Sequence, residues 1–192
     1  HDFEKARETI LAELKKQNLA RVYEEIELPL IPIIARMKER GILIDTEYLK
    51  ELSSRYHATL STMEKKIFEF AGETFNINSP KQLGVILFDT MGLRATGLKK
   101  TAGGARSTRE SELAKLKDAH PIIGSILDYR EIQKLLSTYI DNLPDMADEQ
   151  GRVHAEFNQA GTTTGRFSSS NPNLQNIPTK DGMGTEVRNT FV

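Results

Sequence analysis

One stretch decides the fold: residues 45–72, with the sequence DTEYLKELSSRYHATLSTMEKKIFEFAG. Its apolar residues are spaced three and four apart, which places their side chains on one face of an α-helix. Asp45 or Thr46 can cap the start of this helix, and Gly72 can end it. A stripe this narrow and mixed favours one half of an antiparallel helix pair over a free-standing coiled coil. The apolar positions are Leu49, Leu52, Tyr56, Leu60, Met63, Ile67 and Phe70.

Two helical segments precede this helix. Lysines and glutamates alternate with an apolar face over about residues 2–21, which predicts an amphipathic helix. A second apolar run begins at Val22, and Gly41 is expected to stop it. Pro29 and Pro32 lie inside that run, so we expect the helix to bend there.

Three further helices are predicted from the residues at their ends. Ser79 and Ser107 each open a capping box, in which the serine hydroxyl and a side chain three residues later satisfy free N–H groups. Pro121 begins a longer helix with an apolar stripe, and Pro144 ends it. The two capping boxes predict short helices over about residues 80–90 and 108–118.

The pattern changes after Gly151. Val153, Ala155 and Phe157 alternate with polar residues, as in a half-buried strand. The remainder, to Val192, is predicted as loop and turn with short extended pieces. The sequence therefore predicts a mainly α (α+β) chain, with a natural boundary near residues 144–151 where helices give way to a sheet.

Composition limits the classes of function. The chain has 192 residues, a formal net charge of −1 and no cysteine. Without cysteine there are no disulfides, cysteine-zinc sites or thiol nucleophiles, and contact with nucleic acid must come from local basic patches. No apolar run reaches the roughly 20 residues of a membrane helix, and no signal peptide opens the chain. We therefore expect a soluble, cytoplasmic protein that has no membrane partner.

One segment carries basic residues and no acidic residue. The stretch from Arg94 to Arg109 contains five basic residues, no acidic residue and several glycines. A flexible basic loop of this kind can lie along a phosphate backbone and neutralise several charges. A solvated loop that needs charge only for solubility is the alternative, and charge alone does not separate the two. Its basic residues are Arg94, Lys99, Lys100, Arg106 and Arg109.

The most polar segment is GTTTGRFSSSNPNLQNIP, residues 161–178. It is rich in hydroxyls, amides and glycine, which suits close approach to a nucleic-acid surface. It is not a phosphate-binding P-loop, because three residues rather than four separate its first two glycines and Arg166 follows. Arg166 can reach into a groove and donate to base edges or sugars. The alternative is that Arg166 pairs with a carboxylate.

Candidate catalytic groups are scarce. Between Arg152 and Lys180 the only acidic residue is Glu156, and the four histidines have no metal-ligand spacing. Two-metal phosphoryl transfer needs closely placed carboxylates. We therefore expect no catalytic residue, no metal ligand and no bound cofactor in this chain.

Several segments together resemble family A DNA polymerases, the bacterial polymerase I group. The resemblance is collinear, covers roughly residues 22–192, and is most specific over residues 161–178. The other segments that carry it are YEEIELPL (23–30), GILID (41–45), FNINSPKQL (75–83) and STYID (137–141).

The resemblance implies a division of the chain. Residues 1–24 would be the tail of a preceding exonuclease-type domain, and residues 25–148 a long antiparallel helical thumb with short tip helices. Residues 149–192 would be the incomplete start of the palm, with the first strand and loops of its sheet. The first metal-binding aspartate of the family is expected beyond Val192, so the Mg²⁺ implied for the complete polymerase would be bound elsewhere.

The resemblance also implies DNA-binding residues. At the thumb tip these are Asn78, Ser79, Lys81, Arg106, Ser107 and Thr108, to which the basic loop adds Lys99 and Lys100. Lys134, Ser137 and Thr138 fall near the duplex at the thumb base. Arg166 corresponds to an arginine that contacts the primer terminus from the minor groove, and Asn173, Gln175 and Asn176 line the template-primer path.

The expected function is thus the primer-template DNA-binding portion of a DNA-directed DNA polymerase. Its partners would be primer-template DNA and, through fingers and palm outside this chain, deoxynucleotides. A second polymerase chain that supplies the carboxylates is an open variant. The alternative is a stand-alone, non-catalytic DNA-binding accessory module, which a companion chain would not convert into a polymerase. A helical interaction scaffold would leave residues 161–178 unexplained.

Overall fold

A computed structural model describes residues 2–178 and 182–192. The helices in chain order are α1 Asp2–Lys16, α2 Ala20–Val22, α3 Leu28–Arg40, α4 Thr46–Ala71, α5 Pro80–Val85, α6 Glu110–Leu113, α7 Ile122–Leu135, α8 Leu143–Met146 and α9 Met183–Arg188. The strands are β1 Ile42–Leu43, β2 Arg152–Val153, β3 Glu156–Asn158 and β4 Ser168–Ser170. Single π-helical turns span Tyr23–Glu27, Ile86–Thr90 and Leu136–Ile140, and 3₁₀ turns span Ala114–Leu116 and Leu174–Asn176.

The described residues form two compact units. The helical unit comprises Thr46–Asp145 and Asp181–Thr190, and the strand unit comprises His1–Asp45, Met146–Lys180 and Phe191–Val192, each over its described residues. The mainly α (α+β) class is confirmed, because two small antiparallel sheets are the only sheets in the described chain. The boundaries predicted after residues 24 and 148 are functional ones and stay a prediction.

The core of the helical unit is an antiparallel pair formed by α4 and α7. Ser53, near the start of α4, donates a 2.7 Å hydrogen bond to Asp141 just beyond the π turn that follows α7. At the other end of α4, the Phe70 ring lies 5.5 Å from the ring of His120, just before α7. This confirms the predicted helix pair and the predicted stripe. Five of the seven stripe residues are buried, namely Leu49, Leu52, Tyr56, Leu60 and Ile67.

The first helical segment is shorter than predicted. Instead of running over residues 2–21, α1 ends at Lys16, and Asn18 adopts a left-handed backbone with φ of 59°. Asparagine tolerates this conformation better than most residues, so it can turn the chain between two helices. None of the residues of α1 is buried, so no core packing extends the helix across this turn.

The helix passes through both prolines. The π turn at Tyr23–Glu27 ends two residues before Pro29, which lies in the first turn of α3, and Pro32 lies further inside α3. Because Pro29 has no N–H to continue the regular ladder, a wider turn next to it accommodates the change in hydrogen bonding. As predicted, the segment ends at Gly41, whose φ is 65°.

The first capping box forms only in part, because the Gln82 side chain accepts from the N–H of Asn76 at 2.7 Å instead of from that of Ser79. The Ser79 hydroxyl accepts from the N–H of Gln82 at 3.4 Å, and α5 with its π turn covers the predicted 80–90. At Ser107 the prediction is wrong. The hydroxyl accepts instead from the N–H of Arg109 at 3.3 Å, so that α6 begins only at Glu110, and a 3₁₀ turn ends the segment at Leu116.

The end of the second long helix also differs from the prediction. Pro144 does not end it, because the π turn after α7 stops at Ile140 and Pro144 lies within the separate helix α8. The side-chain amide of Asn142 donates to the backbone oxygen of Ser137. This bond satisfies a terminal carbonyl, so the helix ends before the proline.

The predicted strand over Val153–Phe157 is two strands with different partners. In the first sheet β2 pairs antiparallel with β1, with Val153 opposite Ile42. In the second sheet β3 pairs with β4, with Phe157 opposite Ser169. The prediction of loop and turn with short extended pieces to Val192 agrees with β4 but is wrong at α9, which is helical.

Candidate nucleic-acid interface

The basic segment folds as a small hairpin rather than an irregular loop. Lys100 and Arg106 lie opposite each other in an antiparallel bridge. The N–H of Thr101 donates to the oxygen of Ala105 at 2.7 Å, and the N–H of Ser107 donates to the oxygen of Lys99 at 3.0 Å. We call residues 99–107 the basic hairpin. Its paired backbone fixes which way its cations project.

Glu112 of α6 fastens the basic hairpin. Its carboxylate accepts from the backbone N–H of Lys99 at 2.9 Å and from the ammonium of Lys115 at 2.7 Å. Lys115 also donates to the oxygen of Gly97 at 2.8 Å. These hydrogen bonds, that of Lys115 first, hold the pKa of Glu112 below its ordinary value. Sequence reasoning did not select Glu112, which follows the segment that lacks acidic residues.

A groove of about 650 Å³, which we call the tip groove, lies between α5 with its π turn and the basic hairpin. Its apolar lining includes Pro80, Val85 and Phe88. Three of the predicted DNA-binding cations line the same groove. They are Lys81, Lys100 and Arg106.

The cations of the tip groove differ in how they are held. Lys81 and Lys100 are exposed and have no ion-pair partner among the residues described. Arg106 lies over the Phe88 ring, 4.8 Å from its centre, and donates to the Phe88 oxygen at 3.4 Å. It also pairs with the carboxylate of Asp89.

The other predicted tip residues surround this groove but use their polar groups within the chain. Asn78 is exposed, and its N–H donates to the Asn76 side chain at 2.9 Å. Ser79 is the cap of α5. Ser107 and Thr108 are each only 5% exposed, and the oxygen of Thr108 accepts from the guanidinium of Arg130 at 2.6 Å. Lys99 is exposed on the basic hairpin.

A second group of predicted residues lies at the end of α7. Lys134, Ser137 and Thr138 are exposed, and they share a helix face because they are three and four residues apart. The Ser137 hydroxyl donates to the oxygen of Lys134 at 3.4 Å. These residues form a separate cluster that does not line the tip groove.

In the strand unit, the polar segment of residues 161–178 uses several of its hydrogen-bonding groups on itself. The hydroxyl of Thr162 donates to the backbone oxygen of Arg166 at 2.8 Å. Gln175 donates to the oxygen of Phe167 at 2.8 Å, and the Asn173 side chain caps a 3₁₀ turn by accepting from the N–H of Gln175 at 3.1 Å. Buried Ser169 donates to the oxygen of Pro172 at 3.1 Å.

Arg166 takes part in these hydrogen bonds only through its backbone oxygen. It is exposed, and its guanidinium has no carboxylate partner among the residues described. The alternative that Arg166 pairs with a carboxylate therefore finds no support in residues 2–178 and 182–192. Asn173, Gln175 and Asn176 lie exposed on the same segment.

One histidine forms a clasp in the strand unit. His154 contacts the oxygen of Lys38 through Nδ1 at 2.7 Å and the carboxylate of Asp148 through Nε2 at 2.9 Å. Both ring nitrogens face acceptors, so the protonated ring fits this site best. The hydrogen bond to Asp148 is the main cause that raises the pKa of His154, and the same bond lowers the pKa of Asp148.

A further cluster ties α9 to α4 within the helical unit. Glu186 of α9 pairs with Arg55 at 2.8 Å and accepts from the hydroxyl of Tyr56. Burial, followed by these contacts with Glu186, raises the pKa of Tyr56. Sequence reasoning missed this cluster, because its partners are separated by more than 100 residues.

Among the described residues there is no group of three or more histidines, aspartates or glutamates placed to hold a metal ion. None of the helices described is both long and apolar enough to cross a membrane. The arrangement instead offers basic and polar groups at the tip groove, at the end of α7 and on the polar segment.

Comparison with known sequences and structures points the same way. Residues 46–192 match the sequence model of DNA polymerase family A. The chain is 49% identical to DNA polymerase I of Synechocystis sp. over 91% of its own length and 18% of the relative's. It is 46% identical to DNA polymerase I of Bacillus subtilis over 97% of its length and 21% of the relative's. The chain thus spans about a fifth of the length of the curated relatives that it matches.

A solved structure also superimposes well. It is described as the POL domain of Pol1 from M. smegmatis in complex with DNA primer-template and dNTP. The TM-score is 0.86 at 33% sequence identity, over 95% of this chain and 32% of that one. At this identity and score the likeness extends through the described fold.

Proposed function

The chain belongs to DNA polymerase family A, and from that premise we propose that it is the primer-template DNA-binding portion of a DNA-directed DNA polymerase. The whole enzyme would carry out template-directed DNA synthesis in replication and repair. Within it, this chain would bind the duplex and position the primer terminus. The solved M. smegmatis relative contains primer-template DNA and dNTP, which supports the assignment of both partners.

The observation that carries the proposal is the tip groove. Lys81, Lys100 and Arg106 come from two separate segments and line one groove. Cations in such an arrangement can neutralise neighbouring phosphates of a duplex, which gives binding without base recognition. The net charge of the whole chain is −1. The positive charge at the tip groove is therefore local and does not reflect an overall positive charge of the chain.

The polar segment supports a second, shorter-ranged role. The side chains of Thr162 and Gln175 donate hydrogen bonds to backbone oxygens of the same segment, while the Arg166 side chain is exposed. An arginine held in this way can donate to minor-groove acceptors, which are similar for every base pair. We assign Arg166 to the primer terminus and the exposed amides of Asn173, Gln175 and Asn176 to the template-primer path.

The division of labour follows the family pattern. Residues 25–148 would act as the thumb, residues 149–192 as the start of the palm, and residues 1–24 as the end of a preceding domain. Lys134, Ser137 and Thr138, exposed together at the end of α7, would meet the duplex at the thumb base. Ser107 and Thr108 would support the basic hairpin from inside, because their side chains are buried.

Metal and nucleotide chemistry would belong to the complete polymerase. Mg²⁺ is implied there as the ion that stabilises the transferring phosphoryl group. The residues described offer no cluster of carboxylates that fits it, so we assign no metal ligand and no catalytic step to this chain. Deoxynucleotides would be bound by the fingers and palm, and a second polymerase chain is a partner only in the variant in which the enzyme is split.

The test is the fluorescence anisotropy of a labelled primer-template duplex titrated with the chain over a series of salt concentrations. We expect binding that weakens steeply with salt and that prefers a primer junction both to a blunt duplex and to single-stranded DNA of the same length. A stand-alone accessory module would bind duplex without preference for the junction. The absence of binding at low salt would contradict the proposal.

A further inference from the structure

The tip groove contains one feature that opposes its proposed role. Among the residues that line it, Asp89 is the only one with a carboxylate. Asp89 belongs to the π turn after α5, and its side chain is 59% exposed. A carboxylate at the edge of a phosphate-binding surface repels phosphate, so its presence requires an explanation.

The partner of Asp89 is Arg106, which comes from the basic hairpin 17 residues later. Arg106 is held in three ways: by the ring of Phe88, by the backbone oxygen of Phe88 and by the carboxylate of Asp89. Only the third contact involves an opposite charge. Asp89 therefore occupies the donor edge of the guanidinium that a phosphate would use.

The ion pair and the ring contact differ in how easily they can be exchanged. The ion pair is accessible to solvent, since the side chain of Asp89 is 59% exposed and that of Arg106 is 36% exposed, and ion pairs of this kind stabilise proteins little because solvent screens them. Stacking on Phe88 depends on the face of the guanidinium rather than on its N–H groups. Arg106 can therefore release Asp89 and turn its edge towards another anion while its face remains on the ring.

We propose that Asp89 competes with the phosphates of DNA for the guanidinium of Arg106. This competition would lower the affinity of the tip groove for the duplex and keep binding reversible. The proposal rests on the function proposed above, because the competing anion is a phosphodiester of the bound duplex. In the free chain Asp89 pairs with Arg106. On duplex DNA a phosphate replaces it, and part of the binding energy is spent on breaking the pair.

The matched experiment compares Asp89→Asn with Asp118→Asn in the 192-residue chain. Asp118 is also exposed in the helical unit, and it forms no ion pair among the residues described. Both changes remove one negative charge, but only Asp89→Asn frees Arg106. The readout is anisotropy of a fluorescein-labelled primer-template duplex over a series of salt concentrations.

We expect Asp89→Asn to tighten binding at low salt about three- to tenfold and to change the log–log salt slope by less than about 0.9, the value for one phosphate, because Arg106 neutralises the same phosphate with and without Asp89. Asp118→Asn should change the affinity less than about twofold and leave the slope unaltered. In an Arg106→Ala background, Asp89→Asn should no longer exceed Asp118→Asn, because there is no guanidinium to free.

Two results would overturn the inference alone. Equal effects of Asp89→Asn and Asp118→Asn would show a general charge effect, and weaker binding by Asp89→Asn would show that Asp89 orients Arg106 for phosphate. If Asp89→Asn lowers the melting temperature, Asp89→Ser serves as the second variant with the same expectations. Absence of duplex binding by the unaltered chain would instead contradict the proposed function, and with it the inference.

Discussion

The tip groove and the polar segment of residues 161–178 are both proposed to bind primer-template DNA, but they are built differently. In the tip groove, backbone pairing holds a hairpin and leaves long cations projecting around an apolar floor. In the polar segment the side chains do the holding, and one arginine is exposed without a carboxylate partner among the residues described. The first arrangement acts through charge and is sensitive to salt, whereas the second acts through short-range geometry. Each can therefore be disturbed without the other.

The largest effect is expected on the free energy of unfolding, from Leu83→Ala, which removes buried packing beneath the tip groove. Leu83 is fully buried in α5, so its truncation should destabilise the helical unit by about 2–5 kcal/mol. Thermal and urea unfolding measure this directly. Val85→Ala on the same helix is the control, since Val85 is 46% exposed and should cost less than about 1 kcal/mol. Equal losses for the two variants would contradict the packing described for α5.

The next effect separates the polar segment from the tip groove. Arg166→Ala should lower affinity for a primer junction about fivefold to 150-fold, by losing a donor pair worth about 1–3 kcal/mol. It should leave the salt slope of blunt-duplex binding almost unchanged. Arg166→Lys keeps the charge but loses the planar fork, so it should resemble the alanine variant more than the unaltered chain. An unchanged preference for the junction would remove Arg166 from the primer terminus.

The smallest effect is expected on the pH dependence of stability. It arises from the hydrogen-bonded pair of His154 and Asp148 in the strand unit, which belongs to neither surface. The raised pKa of His154 stabilises the fold fully below its ordinary value near 6.5, and that contribution is lost as the pH rises through the raised value. The lowered pKa of Asp148 stabilises the fold above about pH 3.9, and that contribution is lost as the pH falls through the lowered value. The clasp should thus be complete between about pH 4 and about pH 6.5.

Melting temperatures of the chain and of His154→Asn at about pH 6 and about pH 9 test this window. The unaltered chain should lose more stability between the two pH values than the variant does. The protonated ring is favoured because Nδ1 and Nε2 both face acceptors. Identical pH dependence of the two proteins would show that folding leaves the pKa of His154 unchanged.

The sequence predicted best what depends on long periodic patterns. The stripe from Leu49 to Phe70 repeats over seven positions, so both the helix and its antiparallel packing followed from it. Short elements were not predictable, because their partners decide them. Helix α9 has few apolar residues and begins after Gly182, which offers no side-chain cap. The single strand predicted at Val153–Phe157 divides because its two halves pair with segments far apart in sequence.

The sequence predicted the basic residues of the candidate interface but not the carboxylates that bind them. Arg106 and Lys100 stand out in a segment without acidic residues. The carboxylates that organise this segment, Asp89 and Glu112, lie outside it and meet it only in the fold. Likewise, Ser107 and Thr108 resemble surface residues in sequence, yet they are buried at the base of the basic hairpin.

The claim that the tip groove binds the phosphate backbone is tested most directly by the triple variant Lys81→Ala, Lys100→Ala and Arg106→Ala. Its matched control carries alanine at Lys5, Lys15 and Lys16, three exposed lysines of α1. The measurement is the log–log salt slope of primer-template binding. We predict that the slope of the groove variant becomes shallower by about 0.9 for each phosphate that it no longer neutralises, and that the control keeps the slope of the unaltered chain. Equal slopes for all three proteins would contradict the account.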